Sequence, residues 1–234
     1  MRPKISIIIP TLNEEKFLPI LLESIKRQSF QNYEIIVADA NSSDRTREIA
    51  KTYGCRITKG GSAAIGRNNG AKIAKSNILV FLDADVKIKD DDFLKKVYET
   101  REEFDCASVL LRFDSKSTII RLAEKISNMY IRINNLFIPH GYAGCFIVKR
   151  ELFDKIGGFQ DVRFGEDLIF CKEMKMLKRY RFKLIKSNII TSSRRYYSLG
   201  KQIKEILNTL LFIFLITFFN NIYDFDYDMQ KYKR

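Results

Sequence analysis

Asn77-Ile78-Leu79-Val80-Phe81-Leu82-Asp83-Ala84-Asp85 is the most legible stretch of this chain. Its five consecutive apolar residues, with no polar alternation, predict a strand buried on both faces, as in a parallel sheet. The strand ends in two carboxylates separated by one small residue. Ligands of open α/β sheets gather at the carboxyl ends of strands. Paired carboxylates there suit a hard divalent cation such as Mg2+ or Mn2+, which prefers oxygen ligands and substrate phosphates. Asp-x-Asp after a strand is also an ordinary turn, so the neighbouring segments have to separate the two readings.

Upstream, Ile5 to Ile9 reads as a first buried strand, followed by Pro10-Thr11-Leu12-Asn13-Glu14-Glu15. Thr11 and Glu14 have capping-box spacing, which predicts Thr11 as the N-cap of an amphipathic helix running to about Gln28. A helix N-terminus beside a strand end also favours a nucleotide phosphate. Tyr33 to Asp39 is a second strand ending in a carboxylate. Asp39 either caps a turn or accepts hydrogen bonds from a base or ribose. Asn41-Ser42-Ser43-Asp44 then starts a helix over Arg45 to Tyr53. The small residues between Gly60 and Lys75 suit a helix packed closely on backbone, and Arg67 within it requires an anionic partner, either a structural carboxylate or a diphosphate. The first 90 residues therefore predict strand–helix–strand–helix–helix–strand, a nucleotide-binding α/β half. A Gly-x-Gly-x-x-Gly after the first strand is missing, and so is a Gly-Lys-Ser/Thr loop. Dinucleotide and nucleoside-triphosphatase folds are disfavoured accordingly.

The chain has 234 residues and 46% hydrophobic content, enough for a sizeable core and too apolar for disorder. Four scattered cysteines (Cys55, Cys106, Cys145, Cys171) lack paired metal spacing, and two or more of them are expected in the core as reduced thiols. No secretory leader is expected before the short first strand, because Pro10 follows it at once. The net charge of +13 is uneven: residues 1–111 carry +2 and residues 112–234 carry +11. Eleven basic residues and one acid lie between Lys172 and Lys204, just before the apolar run Ile206 to Phe219. Basic charge beside an apolar helix favours a membrane surface over nucleic acid, since an apolar run has no place in a phosphate-tracking groove.

Ile7-Ile8-Ile9-Pro10-Thr11-Leu12-Asn13-Glu14, Val37-Ala38-Asp39-Ala40-Asn41-Ser42-Ser43-Asp44-Arg45-Thr46 and Phe81-Leu82-Asp83-Ala84-Asp85 resemble successive signatures of the family-two glycosyltransferases. Gly144 to Arg150, Ile156-Gly157-Gly158-Phe159 and Gly165-Glu166-Asp167 continue the resemblance, which covers roughly residues 4 to 200. It implies an inverting, metal-dependent enzyme of the GT-A fold, an α/β class with a mostly parallel central sheet flanked by helices. Residues 1–200 would form this domain, with a nucleotide-binding half (1–90) and an acceptor half (91–200). Residues 201–234 would add an apolar helix and tail. By resemblance, the donor site draws on Pro10, Thr11, Asn13, Glu14, Asp39, Arg67, Asp83 and Ala84. Asp39 would read the base and Arg67 would contact the nucleotide. Asp85, helped by Asp83, would hold Mn2+ or Mg2+. Asp167, with Glu166 as the alternative, would be the general base. Ala40 departs from the pattern, since many members carry a second acid there, and altered base contacts are expected.

In the second half, Ser117 to Phe137 has apolar residues at helical spacing punctuated by Arg121, Lys125 and Arg132. This reads as a core helix with snorkelling basic side chains, or as a helix lying on a membrane. His140, the sole histidine, is an acceptor-side candidate. Arg194 and Arg195 resemble a basic–aromatic segment bordering the acceptor and diphosphate site in membrane-linked members. The 14-residue run Ile206 to Phe219 falls short of the roughly 20 residues of a spanning helix. It reads as an interfacial or re-entrant anchor, with packing into the core or into a homodimer as the competitor. The expected partners are a nucleotide-diphospho-sugar and a lipid-linked or membrane-proximal hydroxyl at the cytoplasmic face of the cell membrane, without nucleic acid. A soluble dimeric transferase and a non-catalytic sugar-nucleotide or nucleic-acid binding protein are the alternatives.

Overall fold

The computed structural model describes residues 2–110, 112–135, 139–142, 144–162, 165–177 and 180–194. The chain runs β1 (Ile5–Thr11), α1 (Leu18–Lys26), β2 (Tyr33–Asp39), α2 (Thr46–Thr52), β3 (Arg56–Lys59), α3 (Ala63–Ile73), β4 (Ile78–Leu82) and β5 (Val86–Ile88). It continues with α4 (Phe93–Glu99), β6 (Cys106–Ser108), β7 (Phe113–Asp114), α5 (Thr118–Asn134), β8 (Cys145–Lys149), α6 (Arg150–Ile156), α7 (Glu166–Met176), β9 (Phe182–Leu184) and β10 (Ile189–Ser192). Seven strands form the main sheet in the order β3-β2-β1-β4-β8-β6-β9. From β3 to β4 the pairing is parallel; β8 runs antiparallel to β4 and β6, and β9 is again parallel to β6.

The β4 sequence shows why the sheet is buried on both faces. Ile78, Val80 and Leu82 point into one apolar layer with Leu21, Leu22 and Phe93. Leu79 and Phe81 point into the other, with Phe146, Phe153 and Phe170. A period-two backbone forces that division, and the apolar run serves both layers at once. Phe159 packs edge-on against Phe81 and Phe146, with ring centroids 5.1 and 5.4 Å apart. The four cysteines are all buried and free.

Two expectations are corrected. The capping box does not form: α1 begins at Leu18, and Thr11 is the last residue of β1, paired with Asp39 of β2. The parallel ladder carries Thr11 in extended conformation, so the chain reverses only at Asn13, whose φ is 56°. The main-chain oxygen of Glu14, rather than its carboxylate, meets the helix start by accepting from Phe17 N and Leu18 N at 3.0 and 2.9 Å. Second, a strand, β3, lies between α2 and α3 where two consecutive helices were expected. Arg-Ile-Thr-Lys at a sheet edge offers a single apolar side chain, too little for a periodic signal. The apolar run Ile206 to Phe219 lies outside the described residues, as does Phe137. Among the described residues, no helix is long and apolar enough to cross a membrane.

Helix α3 crosses β1 closely because Gly70 sits against Ile8. A Cβ at position 70 would come within 2.3 Å of Ile8 Cγ2, a branched side chain sealed in the core. Gly70→Ala is therefore expected to destabilise the fold by about 1–3 kcal/mol through overpacking, measured by urea denaturation.

Candidate active site

The carboxyl ends of β1, β2 and β4 bring the polar residues together. Asp39, 4% exposed, ends β2 beside Thr11. Its carboxylate accepts from Thr11 Oγ1 at 3.1 Å, from Ser42 N at 3.0 Å and from Ser42 Oγ at 2.6 Å. Arg47 Nε approaches it at 3.7 Å. The floor beside it is backbone: Gly60 N donates to Asp39 O at 2.8 Å, and a Cβ on Gly60 would meet main-chain atoms of residues 38–40 at 2.6 Å. Asn13 is an organiser of the neighbouring loops. Its Oδ1 accepts from Ser43 N at 2.9 Å, and its own N donates to Ser42 Oγ at 2.9 Å. Pro10 lies in β1 beyond the stretch that pairs with β4, so its missing N–H breaks no ladder bond there.

Asp83 and Asp85 follow β4, with Ala84 buried between them. Arg67, on α3, is 3% exposed and reaches both halves of the chain. Its Nη2 donates to Asp83 Oδ1 at 2.7 Å, and its Nη1 donates to Glu166 Oε1 in the first turn of α7. Its Nε is buried without a hydrogen-bond partner among the described residues. Burial opposes the guanidinium charge, but Asp83 and Glu166 outweigh it and raise the Arg67 pKa. The anionic partners that Arg67 has in this structure are carboxylates. Asn68 fixes α3 to the loop before α7 by exchanging two hydrogen bonds with the Phe159 main chain, at 2.7 and 2.9 Å.

Asp167, next to Glu166, is buried at 8% exposure, and its carboxyl is pushed up to about 7. Desolvation is the main cause, reinforced by the Glu166 charge and partly offset by Arg67. A carboxyl in that range can exchange a proton near neutrality, as a general base must.

Arg194 reaches the same cleft through strand pairing. β10 runs antiparallel to β5 with Thr191 opposite Val86, so the chain leaving β10 passes Asp85. Arg194 grips Glu14 bidentately, at 2.8 and 2.6 Å, approaches Asp85 Oδ2 at 3.3 Å and lies 4.5 Å from the Phe17 ring centroid. Glu14 therefore serves as an acidic wall of the cleft rather than as a cap. Arg195 lies outside the described residues. His140 is buried at 5% exposure, its main chain held by both atoms of the Asn135 amide, and takes a structural place. Ser42 and Arg47, which orient Asp39, were not singled out in the sequence; only the cap-forming composition of Asn41 to Asp44 hinted at Ser42.

The donor chemistry fits a hard cation. Asp83 and Asp85 supply oxygen, and the Asp83 side chain is about one-third exposed. Among the described residues no three His, Cys, Asp or Glu side chains converge as a closed cage. A cation held by Asp85 and Asp83 would complete its shell with diphosphate oxygens and water, the usual habit of Mg2+.

Comparison with known proteins gives three results. The family model described as "Glycosyl transferase family 2" matches residues 6–157. Among curated proteins, 4,4'-diaponeurosporenoate glycosyltransferase of Staphylococcus haemolyticus is 40% identical over 105 residues, covering 41% of this chain and 28% of its own length. Among solved structures, the mannosyltransferase PcManGT of Pyrobaculum calidifontis, in complex with GDP-Man and Mn2+, aligns with a TM-score of 0.71 at 19% identity, over 94% of this chain and 65% of that one. Glucosyl-3-phosphoglycerate synthase of Mycobacterium tuberculosis, bound to Mn2+, UDP and phosphoglyceric acid, aligns with a TM-score of 0.63 at 18% identity, over 89% and 78% of the two chains. The structural likenesses establish a GT-A-like fold.

Arg67→Met should destabilise the protein by on the order of 3 kcal/mol, because it strands the carboxylates of Asp83 and Glu166. Urea denaturation of wild type and variant at one pH would register the loss as a lowered midpoint.

Proposed function

The chain belongs to glycosyl transferase family 2, and from that premise we propose that it moves a sugar, with inversion, from a nucleotide-diphospho-sugar to an acceptor hydroxyl. The observation that carries this reading is the linkage through Arg67 of Asp83, beside the candidate cation site, to the Glu166-Asp167 pair. Asp167 is the general base: Glu166 is engaged by Arg67, whereas the Asp167 carboxyl sits near 7. It takes the proton of the acceptor hydroxyl. The oxygen then forms a bond to the anomeric carbon from the face opposite the leaving group. The anomeric C–O bond breaks, and the nucleoside diphosphate departs with the electron pair. A divalent cation held by Asp85 and Asp83 supplies charge neutralisation for that diphosphate when bound; the Mn2+ in the complexes of the two solved relatives supports this assignment. Arg194 stands beside Asp85 and adds a second positive group for the same oxygens.

At the β2 end, the Asp39 carboxylate already accepts three close hydrogen bonds, so it orients the loop that meets the base as much as it reads the base. Thr11, Asn13, Ser42 and Gly60 form the remainder of that wall. The acceptor hydroxyl is lipid-linked or membrane-proximal, at the cytoplasmic face of the cell membrane. The basic second half of the chain supports this placement.

Asp167→Asn tests the chemistry. Turnover of the donor, read as transfer or hydrolysis, should fall at least about a hundredfold, with donor affinity kept; unchanged turnover would remove Asp167 from its role. In the wild type, kcat/KM should rise with pH up to about 7 and then level, because the base must be ionised. Stability has the opposite sign. A carboxyl whose pKa is about 7 folded and near 3.8 unfolded costs stability as pH rises between those values. Above pH 7 the Asn variant should melt no lower than the wild type, by calorimetry.

A further inference from the structure

We propose that the outer face of α5 is a docking surface for an anionic lipid bilayer. This deepens the reading of a membrane-proximal acceptor, but it stands on separate residues. Helix α5 buries Ile120, Ile131 and Asn134. The opposite side leaves three large apolar side chains more than half exposed: Leu122 at 56%, Met129 at 58% and Ile133 at 54%. At about 100° per residue, these three fall within roughly 40° of one another on the helix. They form one stripe that the described residues leave uncovered.

Charge selects the occupant of that stripe. Arg121, Lys125 and Arg132 are all exposed and share one flank of the stripe, within roughly 40° of each other. None of the three is paired with a carboxylate among the described residues. Glu124 points elsewhere, its carboxylate accepting from Phe113 N at 3.0 Å. An apolar stripe with a basic flank matches an interface of acyl chains under anionic headgroups. A second copy using the same face would set three positive charges against three, which disfavours self-association there.

The test uses full-length protein and sedimentation with vesicles of phosphatidylcholine alone or mixed with phosphatidylglycerol. Wild type should bind the anionic vesicles preferentially. Neutralising the flank (Arg121→Gln, Lys125→Gln and Arg132→Gln together) should weaken binding on the order of a hundredfold, about fivefold per charge. Leu122→Glu with Met129→Glu should abolish it, while melting temperature and donor hydrolysis in solution stay unchanged. Equal vesicle binding by wild type and both variants would overturn the proposal by placing the contact elsewhere. No binding by wild type would also overturn it. So would a wild-type dimer that the Glu variant converts to monomer, which would identify a second copy as the occupant. A lowered melting temperature in the Glu variant, without wild-type vesicle binding, would identify a cover from the chain itself and count equally against it. Donor hydrolysis, read in the same samples, separates failure of this surface from failure of the transferase reading.

Discussion

A single buried guanidinium holds the candidate site in one piece. Arg67 joins Asp83, at the end of β4, to Glu166, which opens α7 and lies 99 residues from the arginine in sequence. Each partner would be costly alone: a buried arginine loses hydration, and unpaired carboxylates around it would repel one another. Together they fix the distance between the cation-binding end of the sheet and the acid pair that opens α7. Apolar packing could not do this, because the position needs two directed hydrogen bonds from one planar group. The Phe159 ring, 5.7 Å below the guanidinium, and the Asn68 clamp on the Phe159 main chain brace the same junction.

The electrostatic balance of the cleft follows from that arrangement. Asp83, Asp85, Glu14, Glu166 and Asp167 outnumber Arg67 and Arg194, so the cleft keeps a negative excess. A divalent cation and the proton shared near neutrality by Asp167 are two ways of relieving it. Arg194 is supplied by a second sheet of three strands in the order β5-β10-β7, in which β10 pairs with β5 and delivers the guanidinium to Asp85 and Glu14.

Much of this was legible in the sequence where one strong local signal sufficed. The β4 run, the carboxylates at the ends of β2 and β4, and the acidic start of α7 all follow from periodicity or composition, and the structure places them as read. The failures are of another kind. The Thr11–Glu14 spacing satisfies a local rule, yet parallel pairing of β1 with β2 keeps Thr11 extended and frees Glu14 for Arg194, 180 residues away. The edge strand β3 was invisible because its burial is partial and its ladder is supplied entirely by β2. Arg67 was recognised as needing an anion, but which anion depended on α7 folding against α3, a contact no local pattern encodes. The exposed apolar stripe of α5 shows the converse. Helical periodicity gives the helix, but only the tertiary structure says which of its apolar residues remain uncovered.

The most direct measurement is the melting temperature of the full chain with a panel of UDP-, GDP- and dTDP-sugars, each with and without Mn2+. A ligand that binds only the folded state raises that temperature by mass action. A metal-assisted nucleotide-sugar site built on Asp83 and Asp85 predicts that one donor class raises it in the presence of Mn2+, and that Asp85→Asn removes the shift. No shift with any donor, or an equal shift in the Asp85→Asn variant, would contradict it.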